Sequence, residues 1–231
     1  MKRTLLSTLV AAACALGLPA AQSQVSDNVV RIGVLTDMSS LYTDLAGRGS
    51  EVAARMAVED FGAQKKGLRV EIVSADHQNK ADVGSNIARQ WYDVDKVDVI
   101  VDVPNSGVAL AVNQITRDKG KAFLVSGAAS ADLTGKACSP NTIHWTYDTW
   151  MLAKGTGAAI VRNGGDSWFF VTADYAFGHA LQRDTTRFVE AAGVRVLGAA
   201  RYPFPATTDF SAFVLQAQAS RAKVLGMANA L

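Results

Sequence analysis

From Val29 to Leu35 the chain is rich in β-branched side chains and nearly continuous in apolar character. Such a run suits a central strand of a parallel sheet, covered on both faces by helices. A polar loop follows, after which Leu45, Val52, Met56 and Phe61 recur at helical spacing, with Ala53 and Ala57 between them, until Gly62 and Gly67 break the pattern. That spacing predicts a helix. The alternation repeats with a strand over 69–75, a helix over 82–91, a strand over 97–101, a helix over 107–117 and a strand over 122–125. Past a loop around Pro140, an extended stretch over 142–147 leads into a helix over 151–161. A second alternation then begins, with a strand over 168–171, a helix over 177–192, a strand over 194–202, a helix over 209–219 and a strand over 223–227. Alternating β and α segments with short loops specify parallel, doubly wound sheets.

The expected architecture is therefore α/β, with two doubly wound parallel-sheet lobes over 24–144 and 145–231, joined near His144 to Asp148. The second lobe is incomplete. Three of its strands are present when the chain reaches Leu231, which leaves apolar surface and an unpaired strand edge, so the sequence is expected to be a C-terminally truncated piece of a longer protein.

Ahead of the first strand, Lys2 and Arg3 give a positive start, Leu5 to Leu18 is almost uninterrupted in apolar character, and Ala21-Gln22-Ser23 has a small-x-small pattern. This reads as a secretory signal peptide over 1–23, and hence as an exported, periplasmic protein. A bilayer crossing needs about 20 apolar residues, and this run stops short at Pro19. Cys14 lacks the usual Leu three residues before a lipidated Cys. Cleavage leaves Cys138 as the one cysteine, which excludes an intramolecular disulfide.

Composition narrows the function classes. With 49% hydrophobic residues, 19% charged residues and 5 prolines among 231 residues, the chain can bury a core. Lys2 and Arg3 account for the formal net charge of +2, so the exported part is balanced and carries no electrostatic footprint for nucleic acid.

In open α/β sheets ligands bind beyond the carboxyl ends of the strands. The loops at those ends run over 36–42, 102–107, 126–130 and 172–178, and they are mostly hydroxyl, amide, glycine and aromatic. Taken singly, Asn105, Ser126 and Ser130 are ordinary capping or turn residues, and Tyr42, Tyr175 and Phe177 are ordinary loop anchors. Four such loops converging on one edge can hold a small polar molecule. Free N–H groups at helix starts take a carboxylate, Ser and Asn orient it, and an aromatic ring covers its apolar part.

Catalytic and cofactor patterns are weaker. Gly47-x-Gly49 has Val52 where a dinucleotide fingerprint has its third glycine. His77, His144 and His179 have no second His or Cys at metal-ligand spacing. Asp37, Asp76 and Asp174 lie at or near strand ends without a motif-placed partner, and nothing sets a general base beside Cys138. No cofactor, metal or catalytic residue is expected.

Six segments occur in order behind the export signal: Arg31 to Ser40 (RIGVLTDMSS), Ala53 to Asp60 (AARMAVED), Leu124 to Thr134 (LVSGAASADLT), His144 to Asp148 (HWTYD), Thr172 to Gly178 (TADYAFG) and Thr208 to Phe213 (TDFSAF). Together they resemble the substrate-binding proteins of ABC importers, of the branched-chain amino-acid (leucine/isoleucine/valine) type, a type 1 periplasmic binding fold, over nearly the whole exported chain. The resemblance implies a two-lobed clamp that closes on its ligand without catalysis and hands it to an inner-membrane ABC permease. It implies that Asn105 and Ser106, and Ala128 and Ala129 through backbone groups, bind the ligand's polar head, and that Tyr42, Tyr147, Tyr175 and Phe177 cover its side chain.

The chain departs from the leucine-type binders in two places. Ala129 stands where they have a Thr whose hydroxyl helps hold the amino acid. The acidic partner of the ligand's ammonium group belongs to the loop after the strand over 223–227, where this chain ends. The implied ligand is a small carboxylate, either a branched-chain or other amino acid or an aromatic acid. Two other classes compete with a transport binding protein. One is an extracellular sensing domain of a receptor, which a membrane span beyond residue 231 would mark. The other is an exported α/β enzyme resting on a loop acid such as Asp174. Repressors of this fold begin with a DNA-binding helix-turn-helix, and an export signal occupies that place here.

Overall fold

The computed structural model describes residues 28–230. The expected signal peptide over 1–23 lies outside the described residues. Five strands, β1 (Val29–Thr36), β2 (Arg69–Asp76), β3 (Val99–Asp102), β4 (Ala122–Val125) and β5 (Thr142–His144), form one parallel sheet in the order β2-β1-β3-β4-β5. Helices α1 (Gly47–Phe61), α2 (Ala81–Asp93) and α3 (Ser106–Lys119) make its crossovers. The chain then enters a helical segment composed of α4 (Thr149–Leu152), a π-helical stretch (Ala153–Gly157) and α5 (Ala158–Arg162). Three more parallel strands, β6 (Ser167–Ala173), β7 (Arg195–Tyr202) and β8 (Val224–Ala228), form a second sheet in the order β7-β6-β8, with α6 (Ala176–Ala191) and α7 (Ser211–Ser220) between them. The α/β class and the two-sheet parallel architecture match the expectation from the sequence.

The cores follow from the pattern. In the first sheet Leu35, Ile100, Phe123 and Val125 are buried against Trp91 of α2 and against Val108, Val112 and Ile115 of α3. Gly33 is required for this packing, because a Cβ there would run into the Trp91 ring. In the second sheet every residue of β6 is buried, as befits the middle strand of three. Trp168 and Phe170 face one core with Val189 of α6, while Phe169 and Val171 face the other with Tyr202. Helix ends obey local chemistry. Gly62 and Gly120 take left-handed conformations just past α1 and α3, with φ of 66° and 62°.

Two expectations are refined. The extended stretch over 142–147 is a strand only to His144, because its partner β4 ends at Val125 and the ladder stops with it. The helix expected over 151–161 starts earlier, at Thr149, where the Asp148 side chain caps it by accepting from the Met151 N–H. In α1 the stripe whose spacing predicts the helix is exposed: Leu45, Val52, Met56 and Phe61 are all more than half accessible. The helix instead turns Gly47, Ser50, Ala54 and Val58 inward. Glu51 on the same side accepts from the Ser74 hydroxyl of β2.

The Gly33 contact gives a direct test of the first core. Gly33→Ala should destabilise the fold by about 1–3 kcal/mol through overpacking. Equilibrium urea unfolding should show a lower midpoint with the slope unchanged, and an unaltered midpoint would disprove the packing.

Candidate functional site

All strands of a sheet run in one direction, so their carboxyl ends share one edge. On the first sheet that edge is tightly organised. Asp37, fully buried, accepts from the N–H groups of Ser39, Ser40 and Tyr42 and from the Ser40 hydroxyl. Asp76 accepts from the N–H groups of Met38 and Gln78 and from the Ser39 hydroxyl. These two carboxylates shape the loop that carries Tyr42. They act as loop organisers, with their oxygens committed to neighbouring donors.

The next two loops interlock. Asn105 caps α3, its Oδ1 accepting from the Gly107 and Val108 N–H groups at 2.7 and 3.1 Å, and its Nδ2 donates to Asn79 Oδ1. Ser106 Oγ accepts from the N–H groups of Ala129 and Ser130 at 3.3 and 3.2 Å. The Ala128 carbonyl meets His144 Nε2 at 2.7 Å. Asn105, Ser106, Ala128 and Ala129 are thus brought together, buried, at one end of α3. The same region carries left-handed backbone at Asp102 and Val103, with φ of 80° and 58°. Such conformations at non-glycine residues cost about 1–3 kcal/mol and collect at functional sites.

Aromatic residues join the two lobes. The hydroxyls of Tyr42, from the first lobe, and Tyr175, from the second, share a hydrogen bond of 2.8 Å. Tyr175 stacks on Phe204 at 4.2 Å between centroids and lies 6.1 Å from Phe177, while Tyr42 lies 6.4 Å from Phe204. Tyr147 is partly exposed and near enough to both tyrosines to oppose their ionisation. Burial pushes the Tyr42 hydroxyl up to about 12, partly offset by its bond to Tyr175. Burial, with the neighbouring Tyr42, raises Tyr175 as well. Both hydroxyls stay neutral at ordinary pH, so this bridge does not titrate.

Phe204 escaped sequence reasoning, although it follows β7 directly and the strand-end rule reaches it. A second link between the lobes was also missed. Thr149, fully buried, donates its hydroxyl to Asp184 Oδ2 at 2.6 Å, accepts there from the Ala131 N–H at 3.0 Å, and donates its own N–H to the Ala129 carbonyl. Arg183 pairs with Asp184 at 2.8 Å and with Asp132 of the first lobe at 2.9 Å. No local motif marks these residues, because the network joins positions that meet only in the folded chain.

Other candidates stay apart from this edge or find ordinary partners. Among the described residues there is no group of three or more His, Cys, Asp or Glu able to hold a metal ion. His179 Nε2 meets Asp174 Oδ1 at 2.7 Å on the exposed side of α6, and Cys138 is exposed. Two concavities lie elsewhere. One, of about 880 Å³, sits beside α1 and β2, and one of about 320 Å³ lies between α5, α6 and β8. Neither is lined by a strand-tip loop of the aromatic cluster, and the convergence of polar and aromatic groups makes the tips the candidate site.

Two parallel α/β sheets whose tip loops meet through paired tyrosines define a two-lobed clamp of the binding-protein class. The sequence profile of the periplasmic binding protein family matches residues 29–231, and the chain belongs to that family. A solved periplasmic binding protein from Burkholderia mallei shares 49% identity over 89% of this chain and 54% of its own, with a TM-score of 0.85. A branched chain amino acid ABC transporter periplasmic ligand-binding protein from Burkholderia xenovorans LB400 shares 42% identity over 85% of this chain and 52% of its own, with a TM-score of 0.69. A solute-binding protein of an ABC transporter from R. palustris, solved in complex with 4-hydroxybenzoate, has the same fold at 23% identity, covering 86% of this chain and 53% of its own, with a TM-score of 0.77. The chain spans about half the length of these structures. No curated protein matches it.

Two measurements test the geometry. A double-mutant cycle of Tyr42→Phe and Tyr175→Phe, read by urea unfolding, should give a coupling of about 1 kcal/mol for the hydroxyl pair; additive effects would mean the lobes do not meet there. The second concerns His77, which is fully buried near Asp37, Asp76 and Asp102, and whose pKa is lowered because burial outweighs those carboxylates. As pH falls through the ordinary value of 6.5, the unfolded chain takes up a proton that the folded chain resists. Stability should therefore be full above pH 6.5 and decline below it, and His77→Asn should flatten that decline.

Proposed function

We propose that this chain is the extracytoplasmic solute-binding component of an ABC importer, holding a small carboxylate between its lobes and passing it to an inner-membrane permease without making or breaking bonds. The observation that carries the reading is the meeting of α3 and α6 at their amino-terminal ends. A Cβ placed on Gly107 would lie 4.0 Å from the Ala176 Cβ. Two helix starts, one from each lobe, lie side by side there, and their partial positive charge favours an anion. The Ala129 and Ser130 N–H groups sit in long contacts with Ser106 Oγ, which a carboxylate oxygen can outcompete.

The rings of Tyr42, Tyr147, Tyr175 and Phe177, with Phe204, would cover the apolar part of the solute. That much aromatic surface favours a flat, aromatic carboxylate alongside the branched-chain amino acids that the resemblance first suggests. One relative is named for a branched-chain amino acid transporter and one was solved with 4-hydroxybenzoate, and both solutes carry a carboxylate. Export by the signal over 1–23 would deliver the protein to the periplasm, where it would meet its permease.

Isothermal titration with leucine and with 4-hydroxybenzoate tests the reading. At least one should bind saturably, and Tyr175→Ala should weaken that binding about tenfold or more through lost aromatic contact. Absence of saturable binding by both would defeat it.

A further inference from the structure

Beside the loops that carry Asn105 and Ser126 lie three buried polar atoms with no partner among the described residues: His77 Nε2, Asn79 Nδ2 and Asp102 Oδ2. Their chemistry is fixed by the bonds their neighbours make. His77 Nδ1 accepts from the Asn79 N–H at 3.0 Å, so the ring proton is on Nε2, and Nε2 is a donor. Asn79 Oδ1 accepts from Asn105 Nδ2, which leaves its own Nδ2 as a second donor. Asp102 Oδ1 accepts from the Ser126 hydroxyl at 2.9 Å, which leaves Oδ2 as a charged acceptor.

His77 is fully buried and Asp102 is 5% exposed, so neither spends its unused atom on solvent. Leaving such groups unpaired is costly, typically about 1–3 kcal/mol each. Asp37, the other buried carboxylate near His77, has both oxygens occupied and cannot serve as the missing partner. Asp76, the third, likewise accepts three donors, two from the loop after β1 and one from its own.

We propose that His77, Asn79 and Asp102 form an internal subsite for one hydroxyl-type oxygen, which accepts from the two N–H donors and donates to Asp102 Oδ2. A carboxylate is disfavoured there by Asp102, and an ammonium by the two N–H donors. A neutral group that both accepts and donates suits all three. The oxygen comes from a hydroxyl on the bound solute or from an ordered water, and the former would make this edge selective for hydroxylated carboxylates. This rests on the reading of the edge as a carboxylate site. The left-handed backbone of Asp102 and Val103 lies at the subsite, and Asn105 and Ser126 tie it to the head-group loops.

The test combines a crystal structure of the chain with isothermal titration of benzoate and 4-hydroxybenzoate against the unchanged protein, Asp102→Asn and His77→Asn. Asp102→Asn keeps an acceptor for Ser126 and loses the one at Oδ2. His77→Asn keeps a short acceptor for the Asn79 N–H and withdraws the donor from the position that Nε2 reaches. If the solute supplies the oxygen, 4-hydroxybenzoate binds the unchanged protein at least about tenfold tighter than benzoate, and the gap closes in both variants. If water supplies it, the two acids bind alike, and the crystal structure has an ordered oxygen within hydrogen-bond reach of His77 Nε2 and Asp102 Oδ2. A structure with no oxygen there, or with His77 bonded directly to Asp102, overturns the subsite. Failure of both acids to bind would count against the carboxylate reading, while the crystallographic oxygen would still decide the subsite. Should a variant fail to fold, as read by circular dichroism, the unchanged protein's structure decides alone.

Discussion

Thr149 sits where the two lobes are tied, and the arrangement of the site depends on what its few polar atoms do. Its hydroxyl gives to Asp184 of α6 and receives from the amide of Ala131, while its own amide gives to Ala129. One buried side chain thereby fixes the loop after β4 and the helix after β6 relative to each other. Arg183 closes the ring by spanning Asp184 and Asp132. Because Thr149 is fully buried and Asp184 nearly so, the hydroxyl–carboxylate bond is shielded from competing water, while Arg183 keeps the carboxylate paired through its other oxygen.

With that tie in place, the tips of both sheets meet at the Tyr42–Tyr175 pair. The first lobe contributes amides, a capped helix start and loop-shaping carboxylates. The second contributes rings and another helix start. The division has a physical logic: polar recognition needs rigid, satisfied backbone, which the Asp37, Asp76 and Asn105 networks supply, whereas apolar cover needs area, which Tyr175, Phe177 and Phe204 supply with few polar atoms to satisfy. The paired hydroxyls of Tyr42 and Tyr175 are the seam between the two chemistries.

Much of the architecture was legible in the sequence because strand and helix periods differ, and the continuous run at Val29 to Leu35 or the fully buried β6 leave little ambiguity. The strand-end rule also led to Tyr42, Asn105, Ser106 and Tyr175. The capping role of Asn105 was among the readings its residue type allows, whereas its bond to Asn79 was not, because it joins two separate loops. Phe204 lay within reach of the same rule. Thr149, Arg183 and Asp184 did not, since their meaning comes from contacts between distant segments. The stripe on α1 was legible as a helix and misleading as a guide to burial, because small residues at Gly47, Ser50 and Ala54 let another face approach the sheet.

The wide turn at Ala153–Gly157 carries its own consequence. A π-helical turn holds one more residue than an α-helical turn needs, as if a single residue had been inserted into an older continuous helix. Because the wider turn absorbs that residue, Ile160 and Val161 stay packed on the Trp168 core. Rewinding the turn as α-helix with every residue kept would rotate everything after it by up to about 100° about the axis and carry those two side chains off the core. The wide turn thus sets the phase between the anchor at Thr149 and the second lobe's core.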